Sequence, residues 1–315
     1  MIATLTLNPA IDFPMAFDAL RLGETNRGGS SGFDPGGKGV NASRVIHRLG
    51  GPTIAYGFSG GVVGALLCTR LDDEQVSHAF EEIEGTTRMN VMLYERETQR
   101  RTRLLLDGPR IEPRHLDALL KRLGEIPRGG TAVLGGSIPP GLPMTIYRDL
   151  VSWLNQRGVR CIVDASGSAL AHVLAAHPAL IKPNVEEAGE VLARALDGDA
   201  AVLEAAVELQ RRGANAVVIS QGAAGAIGVS EEGAWKAIAP KIEVRSTVGS
   251  GDSMVGGIAF ALDRGASFAQ ALRMGTAAGT ATAMAPQRHL CRAEDVKRLL
   301  PHVVMRECAS TTRSA

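Results

Sequence analysis

The sequence predicts an α/β protein: a doubly wound, mostly parallel sheet with a small second β-sheet beside it. Three observations carry that prediction. From residue 110 onward, short apolar runs alternate with helix-period segments, the order of repeated βα units. Two segments, 13–33 and 86–107, break that order with short strand-like pieces and no crossover helix. Polar and glycine-rich motifs follow several strand-like runs, at the carboxyl edge where open α/β sheets take their ligands. The expected organisation is a core of residues 1–12, 33–85 and 108–315, with 13–32 and 86–107 forming a small sheet that can cover a site as a lid.

The 315 residues, 45% of them hydrophobic, suffice for one large α/β domain with an appendage. A formal charge of +1 gives no sign of a nucleic-acid or acidic partner. No apolar run reaches the roughly 18 residues that a membrane helix needs. The opening Met1-Ile-Ala-Thr-Leu-Thr-Leu7 lacks a basic leader and reads as a first strand, so a cytoplasmic protein is expected. Four cysteines (Cys68, Cys161, Cys291, Cys308) are far apart without a CxxC pair, as incidental thiols in a reducing compartment would be. Seven histidines form no HxH or HExxH pair, which argues against a histidine-rich metal centre.

Residues 2–7 read as a buried strand that Asn8-Pro9-Ala10-Ile11-Asp12 ends. Asp12 is expected just past the strand's carboxyl end, as a ligand contact or as a turn aspartate. Arg27 sits in the first strand-like segment. Arg88 opens the second, in which 89–94 and 101–106 read as strands joined by the polar stretch 95–100. Each arginine reads as a phosphate clamp or as solvated surface.

Between the two segments, Gly32 to Arg44 nearly spells the P-loop pattern G-x-x-x-x-G-K-[ST]. Gly39 stands where the magnesium-binding hydroxyl belongs, and Pro35 removes a cradle N–H, so the stretch is not read as a nucleotide loop. Its glycines, Gly36 and Gly37 among them, form a turn that opens a helix at 40–49 and suits close backbone approach to a polar ligand. Asn41, on the first turn, can donate to and accept from sugar hydroxyls. Residues 53–58 and 60–71 read as strand, turn and helix. The turn holds Gly57-Phe58-Ser59-Gly60-Gly61, a match to the hydrolase elbow G-x-S-x-G.

Beyond 110, strands are expected at 131–135, 160–164, 179–182, 216–220 and 226–229. Helices are expected at 114–123, 144–157, 186–195, 200–212, 268–285 and 293–300. Gly136-Ser137, Asp164, Lys182-Pro183-Asn184 and Ser220-Gln221-Gly222 then fall near the sheet's carboxyl edge. Asn184 and Glu187 share a face of a starting helix. They read as Mg²⁺ ligands, directly or through water, or as a capping box. The stretch from Ser220 to Gly225 reads as a phosphate cradle or as a tight turn between strands. Roughly the last nine residues read as a frayed tail.

The stretch around which the chain is organised is Ser246-Thr247-Val248-Gly249-Ser250-Gly251-Asp252, followed by a helix at 253–262. Helix N-terminal N–H groups and the macrodipole make an anion site there. Asp252 beside it would repel an anion, unless it is a base facing a substrate hydroxyl while the N–H groups hold a transferring phosphate. The plain alternative is a glycine turn with an N-cap aspartate.

Together these pieces resemble the ribokinase-like (PfkB) carbohydrate kinases, in the branch of phosphofructokinases and tagatose-6-phosphate kinase. The parts run in order over nearly the whole chain: Asn8 to Asp12, Pro35 to Asn41, Thr87 to Asn90, Gly136 to Gly141, Asp164 to Gly167, Lys182 to Glu187, Ser220 to Gly222 and Thr247 to Asp252. The resemblance implies that Asp252 takes the proton from an attacking sugar hydroxyl and that Gly249, Ser250 and Gly251 form the hole for the γ-phosphoryl group. It implies sugar contacts from Asp12, Gly36, Gly37, Asn41 and Ser137, and a hold on the sugar's own phosphate by Arg88 and Arg27. Lys182, Asn184 and Glu187 would serve the nucleotide phosphates and Mg²⁺, and Ser220, Gly222, Gly225 and Thr247 the ATP site. ATP, Mg²⁺ and, for many members, K⁺ are the implied cofactors, and a homodimer through the lid is the implied assembly.

Three departures stand out. The lid has Glu24 and Thr25 where similar phosphofructokinases carry a lysine. Lys38 replaces a glycine, as in tagatose-6-phosphate and fructose-1-phosphate kinases, and is read as the substitute cation for a substrate phosphate. Ala285-Pro286-Gln287 differs from a segment usually polar.

The leading expectation is therefore ATP-dependent phosphorylation of a ketose phosphate, fructose 6-phosphate to fructose 1,6-bisphosphate, with tagatose 6-phosphate and fructose 1-phosphate as alternative acceptors. A serine α/β hydrolase on Ser59 would need an acid and one of His172, His177 or His289, and the chain has no HGGG-type oxyanion motif. A non-catalytic sugar-phosphate sensor is the third reading, against which the retained Asp252 speaks.

Overall fold

The computed structural model describes residues 1–30, 32–285 and 289–308. The expected tail beyond 308, and Pro286 and Gln287 of the departing segment, lie outside the described residues.

Ile2–Thr6 is buried along its whole length, the burial pattern of a central parallel strand. It pairs in parallel with Thr53–Ser59 on one side and Thr131–Gly135 on the other. The sheet continues outward to His78–Glu82 past the first neighbour. Past the second it runs through Arg160–Asp164, Leu180–Ile181, Val217–Ser220, Ala226–Ser230, Gly233–Ile238 and Val304–Glu307. All pairings from His78–Glu82 to Val217–Ser220 are parallel, and the last three strands join antiparallel. The chain first winds one way from Ile2–Thr6, then returns and winds the other way from Thr131–Gly135. The crevice at that reversal is where such sheets bind ligands.

Strand periodicity divides the core in two. Ala3, Leu5, Leu134, Val163, Ile181 and Val217 face one layer of helices, Pro113–Leu123, Ile146–Gln156 and Gly198–Arg211 among them. Ile2, Val133, Ile162, Leu180 and Val218 face Lys38–Arg48, Ser250–Asp263 and Phe268–Met284. The last two helices pack through glycine: a Cβ on Gly275 would stand 2.5 Å from Ile258 Cγ1, and one on Gly257 3.0 Å from the Ala278 Cβ.

The second sheet holds Ala10–Phe17, Gly29–Ser30, Asp34–Gly36, Arg88–Glu95 and Arg101–Leu104. Ala10–Phe17 pairs in parallel with Arg88–Glu95. One difference from expectation concerns Asp12. It does not sit just past a core strand but inside Ala10–Phe17, opposite Asn90 and Asp34. After Asn8-Pro9 the chain starts a new strand in the second sheet at once. Asp34–Gly36, with its proline, also belongs to this sheet, pairing only with Ala10–Phe17.

His78–Glu82, Gly233–Ile238 and Val304–Glu307 were not expected from sequence. Two of them, His78–Glu82 and Val304–Glu307, are edge strands with half-exposed, polar patterns that hide the usual apolar run. Among the described residues no helix is long and apolar enough to cross a membrane. The four cysteines are free, with Cys161 and Cys291 buried.

Candidate active site

The helix behind the glycine stretch begins at Ser250, three residues before the expected start, with Gly249 as its N-cap. Gly249 has φ 81°, in the left-handed region, and a Cβ there would stand 2.8 Å from Leu290 Cδ2. The positive φ therefore favours glycine, and any side chain would also push the Leu290 methyl aside. The Ser250 N–H donates to the Thr247 carbonyl at 3.3 Å, while those of Gly251 and Asp252 have no backbone partner among the described residues. The Ser250 hydroxyl is buried without a partner. Lys182 Nζ lies 3.6 Å from where a Cβ on Gly251 would be, so an ammonium group adds to the positive helix end.

This turn forms part of the wall of a cavity of about 1210 Å³, larger than the roughly 300–1,000 Å³ of a site for one drug-sized ligand. Asp252 lines it, half-buried, and its carboxylate accepts from Asn41 Nδ2 at 2.7 Å. Burial first, and then the nearby Asp164 carboxylate, push the Asp252 carboxyl up to about 6, against the opposing pull of Asn41, Lys38 and Lys182.

Asp164 is 2% exposed and held between two lysines, Lys38 Nζ at 2.8 Å and Lys182 Nζ at 3.5 Å. Burial pushes its carboxyl up, but the two ammonium groups outweigh that and hold it below the usual range. Burial likewise works against the Lys38 charge, and Asp164 and Glu187 more than compensate, raising its pKa. Lys38 Nζ is 3.8 Å from Glu187 Oε1. The lysine read as a substitute phosphate cation is thus already paired with two carboxylates.

Asn184 and Glu187 form a reciprocal capping box. The Glu187 N–H donates to Asn184 Oδ1 at 2.7 Å, and the Asn184 N–H to Glu187 Oε2 at 2.9 Å. Both also line the cavity; Glu187 Oε1, outside the capping box, faces Lys38 Nζ at 3.8 Å. Among the described residues no group of three or more metal-binding side chains is present. The strand Val217–Ser220 brings Ser220 beside Asn184, and the turn after it lines the cavity with Gly222 and Gly225. Thr247 lines the same end.

At the other end Asp12 accepts from Asn90 Nδ2 at 2.8 Å. Gly36 backs the wall: a Cβ there would be 3.1 Å from the Asp12 carboxyl carbon. Asn8, 3% exposed, donates through Nδ2 to the Asp107 carbonyl at 2.8 Å and to Ser137 Oγ at 3.1 Å. Arg88 donates to the carbonyls of Leu106 and Asn8, each at 3.0 Å, with Nε buried and unpartnered. Gly37, Lys38, Asn41 and Ser137 complete this part of the wall.

Of the residues predicted from sequence, Arg27 stands apart, exposed and off the cavity wall. Ser59 and the three histidines His172, His177 and His289 also lie off that wall, so the match to the hydrolase elbow is a plain strand–helix turn.

Sequence reasoning passed over Asn90 and Arg103, both of which line the cavity. The missed signal was period two. Arg88, Asn90 and Met92 share one face of Arg88–Glu95, and Arg103 and Leu105 alternate on the neighbouring segment. Arg101 reaches the loop before the glycine turn instead, donating to the Arg245 carbonyl at 2.9 Å and to Ser246 Oγ at 3.3 Å.

Comparison with known proteins agrees with this geometry. The family model of "pfkB family carbohydrate kinase" matches residues 6–292. The chain is 33% identical to the 1-phosphofructokinase of Borreliella burgdorferi over 95% of this chain and 96% of that one. It is 34% identical to the ATP-dependent 6-phosphofructokinase isozyme 2 of Escherichia coli, covering 96% and 98%. The crystal structure of Escherichia coli phosphofructokinase-2 in complex with potassium superimposes with a TM-score of 0.91 at 34% identity, covering 96% of this chain and 98% of that one. The chain belongs to the pfkB family of carbohydrate kinases, enzymes that transfer a phosphoryl group to an alcohol acceptor.

Proposed function

We propose that this chain is an ATP-dependent kinase acting on a ketose phosphate, converting fructose 6-phosphate to fructose 1,6-bisphosphate. The observation that carries the reading is the site of Asp252. A carboxylate whose burial keeps it basic stands beside a glycine-flanked helix start with unpartnered N–H groups. In this reading Asp252 takes the proton from a primary hydroxyl. The hydroxyl oxygen bonds to the γ-phosphorus as the bond to the β–γ bridging oxygen breaks, and ADP leaves. Gly249, Ser250, Gly251 and the Lys182 ammonium face the charge that develops on the transferring group.

Asp12, Gly37, Asn41 and Ser137 hold the sugar, with Gly36 behind Asp12, and Arg88 holds its phosphate. Arg103 adds a second cation where Arg27 is too far out within one chain. Ser220, Gly222, Gly225 and Thr247 line the nucleotide end. The donor set fits a hard cation that keeps most of its waters: Glu187 Oε1 lies outside the capping box, shared loosely with Lys38 at 3.8 Å, with Asn184 beside it. Mg²⁺ held there would neutralise phosphate charge. The potassium of the Escherichia coli complex is the reason to include K⁺ as an activator. The second sheet is read as a lid and as the contact of a homodimer, since Leu104, Leu105 and Leu106 are 51–59% exposed at its edge. A cytoplasmic location fits the free thiols.

Fructose 1-phosphate and tagatose 6-phosphate are the competing acceptors. Lys38 speaks for either of these, and the 1-phosphofructokinases among the relatives favour the first. Release of ADP measured with each of the three sugar phosphates tests the proposal. Fructose 6-phosphate is expected to give the highest kcat/KM. A higher value with either of the others would replace it as the substrate, and no turnover with any of them would remove the phosphofructokinase reading.

A further inference from the structure

Asn41 meets Asp252 from the first turn of Lys38–Arg48, and one turn further along that helix stands Arg44. Arg44 is 5% exposed and does not line the cavity. Nε of its guanidinium donates to both carboxylate oxygens of Glu74 at 3.0 Å, and Nη2 donates to Glu74 Oε1. Nη1 turns the other way, to the Pro35 carbonyl at 3.1 Å and to Asn41 Oδ1 at 3.3 Å. A guanidinium has only donors. The oxygen of the Asn41 amide therefore belongs on the Arg44 side, and the NH₂ group on the side of Asp252. A flipped amide would set donor against donor at one end and oxygen against carboxylate at the other.

Glu74 is an unusual residue for its position. It is the C-cap of Gly61–Asp73, where the negative end of the helix dipole disfavours a carboxylate. Burial also pushes its carboxyl up. Hydrogen bonds and charges from Arg44 and Arg48 outweigh that and hold it below the usual range. Arg48, which donates to Glu74 Oε2 at 3.0 Å, is tied to the Leu290 carbonyl at 2.9 Å. The carboxylate thus sits against the dipole, held by two arginines, one of which reaches the site through Asn41.

We propose that Arg44, anchored by Glu74, is a positioning residue that fixes the Asn41 amide with its NH₂ group on the base Asp252. This rests on the reading of Asp252 as the base. Donation to the carboxylate favours its charged form. The other charged groups that face Asp252 are Asp164, which opposes ionisation, and Lys38 and Lys182, which favour it. With the amide free to turn, burial and Asp164 act with one opponent fewer, and the proton is held to higher pH. Arg44 shares Glu74 with Arg48, so removing Arg44 and Glu74 together leaves the local net charge unchanged, and their effect on Asp252 runs through the amide.

The test compares Arg44→Met/Glu74→Leu, which replaces a buried ion pair by apolar side chains of similar size, with the parent enzyme. The same double substitution is also made in an Asn41→Ala background. The readout is kcat/KM for the phosphosugar along the acid side of the pH profile; ionisation of the sugar phosphate is common to all four proteins. With Asn41 present, the acid limb is expected about one pH unit higher, as for a lost hydrogen bond to a charged group. In the Asn41→Ala background it moves no further. An unmoved limb, or an equal shift in both backgrounds, overturns the proposal. Arg44→Gln/Glu74→Gln, which likewise removes one charge of each sign, is expected to shift the limb the same way by less, and it carries the test if the apolar pair does not fold. Failure of the base reading itself shows separately, as retained turnover in Asp252→Asn.

Discussion

Asp252 carries the cost of its proposed role in the folded state. Its carboxyl is pushed up to about 6, and an unfolded chain would leave it near the ordinary value of about 3.9. Below that ordinary value both states hold the proton, and nothing is lost. As pH rises from about 3.9 to about 6 the unfolded chain has released a proton that the folded state still holds, so stability falls over that window and levels off above it. Asp252→Asn is therefore expected to raise stability by about 1–2 kcal/mol at neutral pH, discounted for partial exposure. The gain should vanish in acid, which denaturant titrations at two pH values would show. The same variant is expected to lose about 10²–10⁴ in kcat while still binding ATP. Near-normal kcat would remove the base assignment. For the parent enzyme, kcat/KM should rise as pH passes through about 6, because the ionised form is the active one. Arg88→Ala is expected to raise KM for the phosphosugar about tenfold or more, with little change for ATP, in line with loss of a charged hydrogen-bonding group. Equal effects on both substrates would place Arg88 in a structural role, as a brace for the Asn8 and Leu106 carbonyls.

Most of the elements could be read from the sequence because their patterns are strong. Thr131–Gly135 and Arg160–Asp164 fall at the expected residues, and Ser250–Asp263 overlaps its expected span with the glycine turn in front. The reading failed where two structures share one segment. Ala10–Phe17 follows the first core strand with only three residues between, so its residues looked like a loop at a sheet edge. Asn90 was missed because a strand face is only visible once the strand is assigned to a sheet that overlooks a cavity. The Arg44–Glu74 pair was out of reach, since no spacing in the sequence joins the end of one helix to the middle of another. At this scale the glycine seam gives a firm prediction. Gly275→Ala drives a methyl group toward Ile258 Cγ1 at 2.5 Å and the Met254 carbonyl at 2.7 Å. Overpacking of that kind costs about 1–3 kcal/mol, so thermal unfolding should show a lower Tm. An unchanged Tm would mean that the two helices have room to separate.

The whole molecule divides the work between a large sheet that carries the proposed nucleotide groups and a small one that overlooks the proposed sugar end. The small sheet ends in three consecutive exposed leucines. If these are the dimer contact, Leu104→Glu/Leu106→Glu should convert the protein to a monomer in sedimentation velocity. A variant that remained dimeric would move the contact elsewhere. The geometry of Asn8 bears on how this small sheet can travel. Its side chain bonds the Asp107 carbonyl and its own carbonyl accepts from Arg88, so one residue joins the chain's first way out of the large sheet to its second way out and its last way back. Three of the four crossings between the sheets thus meet at one residue, the fourth being the return through Asp34–Gly36. The outermost strand carries Arg101, whose grip on the Arg245 carbonyl lies just ahead of the glycine turn. In the proposed reading, a sugar that shifts the small sheet is thereby geared, through one arginine, to the peptide proposed to cradle the phosphoryl group.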